Sequence, residues 1–537
     1  MERKLSRRNV LALGAAGAVA VTGTLLSKGN ALGSSVTESV YGDCDAIENA
    51  GCIREIAEEV VQEYTQPFTT QLADMQKRLG LVVNVKDFGA AGDGVTDDTA
   101  ALQSAFNHLA TLPTNNRKVL YIPSGKYLFT SIVANVSVLT VKADGFYGVT
   151  LACTDTTSTP AIHIKGASWQ FDGINLEGVE GDVVGMGKTG ILFKRDVGKY
   201  PDIDSEFLNC RINNFNIGVE FWGRGLKMQG CLMANNGYCV NLEWMNVGDY
   251  LPAKDPNNPT QQDITGFRHY SFIGCRFHSE VNGAIKNTGV NASKINGIVV
   301  VGCNMDIGKV LWTGVLRDAL LASNSITQTP YNAFDLHSGS RDYLIADTII
   351  AGETLSEPDR TPVNFIIIRG NHQNGVFRNL LLKNCRQHGI NVRNDGVSTN
   401  MVFENITFVE PCLTGGAYNP ITFVGPSHTA VVRNITFQRT GALSGVIKTT
   451  DAAADIQVDG VYKFGNATPT MTGAGTKNVK RFHVLDGFDR IDLVGSGSPE
   501  GVVSAYVGST FRRMDGGAGT TFYVKESGSD NTGWVAK

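Results

Sequence analysis

Charge of either sign is not in excess in this chain. Of 537 residues, Lys and Arg number 47 and Asp and Glu 51, which leaves a net charge of −4 and a pI near 6.2. A basic nucleic-acid-binding surface is therefore not expected. A neutral or acidic glycan stays open as a partner, because local patches depart from the total. Long apolar runs are also missing, and no stretch reads as a stable membrane span. Metal-ligand clusters are scarce too. Most of the 10 cysteines recur singly, one per repeat, so neither a zinc site nor a cofactor is expected. Glycine is abundant at 61 residues, and 42% of the chain is hydrophobic. A chain of this length and composition builds a large core, either as several units or as one long repeat array.

The stretch from Val83 to Phe129 organises the rest. Val82-Val83-Asn84-Val85 is β-branched and apolar, a short strand. Gly89, Gly92, Asp93 and Gly94 then form a tight turn, where glycine accepts positive φ without steric cost. Thr96 is placed as an N-cap, with Asp97 and Asp98 in the first turn of a helix. Leu102, Ala105, Phe106 and Leu109 share one stripe of that helix, so one face must cover something apolar. A second strand, Val119-Leu120-Tyr121-Ile122, ends in the turn Pro123-Ser124-Gly125. The helix is expected to shield the blunt end of a stack of strands. The order and wording of these pieces resemble the start of the pectate-lyase-like right-handed β-helix superfamily, which includes many phage tailspikes. The resemblance implies an all-β fold, a single-stranded right-handed parallel β-helix. It does not fix the chemistry, since that superfamily holds hydrolases, lyases and binding proteins.

Before this stretch lie two segments of different character. Residues 1–35 contain Ser6-Arg7-Arg8-Asn9-Val10-Leu11 and a weakly apolar run, and resemble a twin-arginine export signal with a cleavage site after Ala31. The rival reading is an attachment segment of a virion protein. Residues 36–80 carry Ile53, Ile56, Val60 and Tyr64, then Leu72, Met75 and Leu79, at helical spacing. Pro67 divides them into two helices of a neck with a narrow apolar stripe, which suggests three-stranded self-association or packing on the body. Cys44 and Cys52 could pair there in an oxidising compartment.

Residues 81–490 read as a solenoid. Five segments place Asn or Gly, then Cys, after an apolar strand, ending at Cys210, Cys231, Cys275, Cys303 and Cys385. Later copies put Ile406, Ile435 and Val461 in the Cys position, so it wants a buried apolar side chain and the thiols are expected to be free. The Asn/Gly position reads as a left-handed bend. Each coil continues into a second strand such as Gly218-Val219-Glu220-Phe221-Trp222. Period-two alternation turns Val219 and Phe221 inward and Glu220 and Trp222 outward. Stacked coils should therefore display Glu220, Trp222, Asn241, Glu243, Lys286, Trp312, Asp335, His337, Arg369 and Arg393 in columns. Carboxylates, aromatic rings and cations in a row on a rigid face suit a sugar-binding groove. Insertions at 246–266 and 352–362 could wall it.

Residues 491–537 leave the coil pattern. Short strands at Val502-Val503, Ser509 to Arg512, Thr521 to Lys525 and Trp534-Val535 are separated by Gly-rich turns. This ending resembles a small C-terminal β module of phage tail fibres and tailspikes. With the β-helix start and the helical neck, it implies a homotrimeric phage or prophage tailspike. Such a protein would sit on the virion tail, bind a bacterial surface polysaccharide and depolymerise it at the cell surface. An exported bacterial lyase using the twin-arginine pathway, and a non-catalytic glycan-binding spike, are the rival readings.

For hydrolysis two carboxyl groups must flank the bond, one as acid and one as base. Glu220 and Glu243 fall on successive coils two places apart, a diagonal of roughly 7–8 Å, within the range of about 6.5–9.5 Å for inverting enzymes. Glu280 with Asp306, and Asp335 with a neighbour, are the other carboxylates. Glu243 is the preferred acid because Trp244 adjoins it and Trp222, Trp312 and His337 share its surroundings, which would desolvate the carboxyl. Trp222, Trp244, Trp312 and Arg369 are the expected substrate contacts. For β-elimination, His337, His278 or Tyr270 would serve as base beside Arg276 or Lys286.

Overall fold

A computed structural model describes residues 81–537, apart from 114–115, 146–147, 158–159, 181–187, 197–201, 244–268, 279–281, 290–291, 394, 415–417, 426–427, 441–446, 451–454, 466–470, 473–483, 487–491, 496 and 504. The signal-like start, the neck with Cys44 and Cys52, and the insertion at 246–266 lie outside the described residues.

From Val82 to Asp486 the chain winds as a right-handed parallel β-helix. Among the described residues of these coils, every strand pairs in parallel with its counterpart one coil away, as in Phe403↔Val432 and Val432↔Val458. Each coil has three faces. The first and second belong to one 26-stranded sheet, and the third forms a separate 14-stranded sheet. The core runs up the middle, with stacked rings such as Phe171–Phe207 (centroids 4.7 Å apart) and Phe377–Phe403 (4.9 Å). A different element ends the chain. Asp492–Gly495, Thr510–Arg513, Phe522–Lys525 and Trp534–Ala536 form a four-stranded mixed sheet over Ala505, Phe511, Tyr523 and Trp534.

The bend between the first and second faces follows the sequence pattern. Gly173, Asn209, Gly230, Gly274, Gly302, Ser323, Asp347, Asn379, Asn405, Asn434 and Gly460 all take left-handed backbone, with φ between 49° and 73°. Asparagine is favoured over other side chains there because its amide can bond locally. In the upper coils these amides form a ladder. Asn379 Nδ2 donates to Asp347 Oδ1 at 2.9 Å, Asn405 Nδ2 to Asn379 Oδ1 at 3.0 Å, and Asn434 Nδ2 to Asn405 Oδ1 at 3.1 Å.

The next residue in each coil faces the core. Cys210, Cys231, Cys275 and Cys303 stack there, buried and free, followed by Asn324, Thr348, Leu380, Ile406 and Ile435, and Val461 continues the register opposite Ile435. Cys385 is buried and free as expected but does not share this column. Leu380 pairs with Ile406 in that position, and Cys385 lies at the following corner, where its Sγ accepts from Cys412 N at 3.4 Å. The misplacement has a physical source. Asn384 also takes left-handed backbone, with φ 61°, so the Asn-Cys wording marks a second kind of corner.

The capping helix spans Thr99–Thr111 and buries Leu102, Ala105, Phe106 and Leu109, with Phe106 stacked on Trp169. Its start differs from expectation. Asp98, not Thr96, occupies the N-cap, and its carboxylate accepts from Ala91 N (2.6 Å) and Gly92 N (3.0 Å). Thr96 instead closes the preceding turn onto Asp93.

Candidate functional site

The third face presents one unbroken outward column. Each residue stands opposite the next through His163, Leu192, Glu220, Asn241, Lys286, Thr313, Asp335, Ile367, Asn391, Thr422 and Lys448. Strand neighbours lie about 4.8 Å apart, so polar groups follow one another at coil spacing. Two clusters stand out along it.

The lower cluster surrounds Glu220 and Glu243. Glu220 is opposite Asn241, and Glu243 is opposite Trp222, so the two carboxylates sit on adjacent strands offset by two residues. Both are half-buried. Glu220 accepts from Trp222 Nε1 at 2.8 Å and from Thr189 Oγ1 at 3.3 Å. Glu243 accepts from Asn241 Nδ2 at 3.0 Å. The Trp222 ring packs partly on the core and carries the Lys194 ammonium 4.0 Å from its centroid. The coil spacing alone did not reveal Lys194, which lies just past the end of its strand, Thr189–Phe193.

The upper cluster is built on Asp335. Arg369 grips this carboxylate through Nε at 2.6 Å and Nη2 at 3.1 Å, and His337 Nε2 lies 3.6 Å away. Thr313 Oγ1 approaches the same His337 nitrogen at 3.5 Å. Because both neighbours meet one nitrogen, the group is not a proton relay. Burial lowers the His337 pKa, and Arg369 adds to that against the opposing pull of Asp335. Tyr238 also belongs here. Its ring crosses the Gly283 position of the next coil and lies 5.2 Å from Lys286 Nζ, and its hydroxyl pKa is raised by burial and then by the Asp335 charge. Period two turns Tyr238 inward with Val240 and Leu242, so the pattern hides it.

Other expected residues fall elsewhere. Trp312 is a correction: it is fully buried, pairing with Ile285 and Phe334 in the core, and Thr313 takes the outward place. It therefore cannot serve as an open sugar platform, nor does it surround Glu243. Asp306 is on the second face, not the third, where it meets His278 Nδ1 (3.5 Å), Arg276 Nη2 (3.9 Å) and the Thr327 hydroxyl (3.2 Å). Tyr270 is excluded as a base, since it is buried and donates its hydroxyl to the Gly223 carbonyl. Glu280 and Trp244 lie outside the described residues. The insertion at 352–362 closes on itself through the Thr361 hydroxyl, which donates to the carbonyls of Thr354 and Glu357 (2.8 and 2.9 Å), at the corner entering the third face.

Residues 82–163 match the family described as rhamnogalacturonase A/epimerase, pectate lyase-like. The resemblance read from the opening motif is thus to a family of this fold. A curated relative, mannuronan C5-epimerase AlgE1 of Azotobacter vinelandii, is 54% identical over 46 residues. That stretch spans 8% of this chain and 3% of the epimerase. Among solved structures, tailspike protein 3 of bacteriophage CBA120 is 14% identical with a TM-score of 0.47, covering 86% of this chain and 70% of its own. The A-module of mannuronan C-5 epimerase AlgE6 from Azotobacter vinelandii is 14% identical with a TM-score of 0.38, covering 73% and 99%.

Proposed function

We propose that this chain is a tailspike-type depolymerase that binds a bacterial surface polysaccharide along its third face and hydrolyses it. The observation that carries this reading is the placement of Glu220 and Glu243, half-buried on adjacent strands and offset by two residues. Glu243 is the general acid that protonates the leaving oxygen. Glu220 is the base that activates a water, and the offset leaves room for it. Lys286 and Trp222 line the same face and hold the sugar hydroxyls and ring.

A second reading is favoured by the upper cluster. His337 and Arg369 meet at Asp335, and Lys286 with Tyr238 follows lower on the same face, so a proton acceptor and cations share one face, which suits abstraction of a proton beside a uronate carboxylate and β-elimination. Asp335, held by two bonds from Arg369, is suited to orient these groups and not to donate a proton.

The proposed assembly is a homotrimer on a phage or prophage tail, with secretion through the twin-arginine route as the alternative setting. Support for self-association comes from the first face. Val299, Leu320, Leu344, Val376, Val402 and Val431 form one outward apolar column over six consecutive strands. Leu320 is 37% exposed and the others are half-buried. A contiguous apolar surface of this kind marks an interaction site.

Digestion of a panel of capsular and O-antigen polysaccharides tests the chemistry. New reducing ends without an unsaturated chromophore are expected, and a chromophore would select the elimination reading. Binding without cleavage of any bound glycan would select a receptor-binding spike. Glu243→Gln should lower turnover about a hundredfold or more with binding retained, whereas near-normal turnover in the folded variant would exclude Glu243 as the acid.

A further inference from the structure

Glu243 is held from two sides by residues that the reaction scheme does not use. Asn241 precedes it by two residues on the same strand, is 4% exposed, and stands in the column between Glu220 and Lys286. Its Nδ2 donates to Glu243 Oε1 at 3.0 Å, while its Oδ1 is buried and has no hydrogen-bond partner among the described residues. The bond to Glu243 therefore fixes the amide's orientation, since reversing it would set a carbonyl oxygen against a carboxylate.

On the other side lies Gly289, in the neighbouring coil. A Cβ built on Gly289 would stand 2.3 Å from Glu243 Oε2 and 3.3 Å from Cδ. The φ of Gly289 is outside the left-handed region, so the backbone does not demand glycine there. What demands it is the carboxyl group lying against its α-carbon.

We infer that Asn241 and Gly289 are positioning residues that clamp the Glu243 carboxyl and decide which of its oxygens carries the proton. In a protonated carboxyl the carbonyl oxygen is the better acceptor. Asn241 Nδ2 therefore selects Oε1 as the carbonyl oxygen and leaves the proton on Oε2. Gly289 leaves the space that Oε2 needs. On delivery, the Oε2–H bond breaks as the proton passes to the glycosidic oxygen. The resulting carboxylate keeps its bond from Asn241, which is stronger to the charged form. A larger residue at 289 would rotate the carboxyl away without disturbing the coil, because the displaced atoms are the free end of a side chain. This inference rests on Glu243 acting as the acid.

The test compares Asn241→Ala, Asn241→Asp, Gly289→Ala and Glu243→Gln on one cleavable polysaccharide, with folding verified by circular dichroism. Gly289→Ala and Asn241→Ala should lower kcat about tenfold and leave KM within about twofold, the pattern of an interaction needed in the transition state. Asn241→Asp sets a second carboxylate beside Glu243 and disfavours its ionisation. The alkaline limb of the kcat/KM profile should therefore move up by about one pH unit. Wild-type kcat and pH profiles for Gly289→Ala and Asn241→Asp, with Glu243→Gln inactive, would overturn the clamp and leave the catalytic reading standing. If Glu243→Gln is fully active, the catalytic reading fails instead. The clamp is then judged by carbon NMR titration of the Glu243 carboxyl. A shifted titration in Asn241→Asp supports it, and an unchanged one overturns it.

Discussion

At the corner where the third face turns into the first, His372 is 3% exposed and fully bonded. Its Nδ1 accepts from the Tyr343 hydroxyl at 3.1 Å and its Nε2 donates to the Arg369 carbonyl at 2.9 Å, the arrangement of a neutral imidazole. Burial pulls its pKa down to about 4. The unfolded chain, with histidine near 6.5, binds the proton more readily than the folded one. Stability is therefore complete above about pH 6.5 and is lost as pH falls from there toward 4, by roughly 3 kcal/mol in all for this group. The unfolding temperature should drop between pH 7 and pH 5, and His372→Gln, less stable at pH 7, should show a shallower drop. The same residue supports the backbone of Arg369, so acid should loosen the upper cluster before the lower one. Trp312 gives a second expectation at this scale. As a buried core residue, its replacement by alanine should cost about 3–5 kcal/mol. A folded Trp312→Ala protein that keeps its stability and loses glycan affinity would restore the surface role assigned from its sequence.

The coil bend is the element that the sequence states most openly. Left-handed backbone is cheap only for glycine and the short amide or acid side chains, so Asn209, Gly230, Gly274, Gly302, Asn405 and Asn434 announce their positions. The register of the third face is less legible. Val310-Leu311-Trp312-Thr313-Gly314 offers apolar residues on both parities, so alternation cannot tell which side chains point inward. The strand Ile217–Arg224, where Val219, Phe221 and Gly223 alternate with polar residues, leaves no such doubt, and Glu220 and Trp222 were readable from it. Side-chain partnerships lay beyond reach altogether. Arg369 and Asp335 stand 34 positions apart, and nothing local ties one to the other. The amide ladder permits a direct check on the bends. Asn405→Ala places an ordinary side chain at φ 54° and breaks two ladder bonds, so a loss of about 2 kcal/mol is expected. Asn405→Gly keeps the conformation and should lose less. Equal unfolding temperatures for the two would mean that the backbone conformation carries none of the cost.

At the scale of the whole molecule, two faces divide the work proposed for it: the third meets glycan and the first meets another copy. Leu344→Glu separates these roles, because Leu344 lies in the apolar column on the first face while no residue of the third face touches that position in register. Sedimentation at micromolar concentration should show trimers for the parent and smaller species for the variant, with the fold unchanged by circular dichroism. A parent protein that sediments only as monomer would remove the assembly from the proposal.

The unbroken third-face column has a consequence for how such a protein can change over generations. Because the described strands of each coil pair with the coil before and the coil after, and only side-chain bonds such as Lys188 Nζ to the Thr130 carbonyl and Arg386 Nη2 to the Pro330 carbonyl are seen to reach further, stability is close to a sum over neighbouring pairs. A duplication or deletion of one whole coil would leave the strand pairings away from the new junction intact. It would lengthen or shorten the row of outward residues by a single step. Under the proposed function, the reach of the groove is then a counted quantity, gained or lost one rung at a time, and the rung holding Asn241 and Glu243 would keep its chemistry while the number of sugars held beside it drifts.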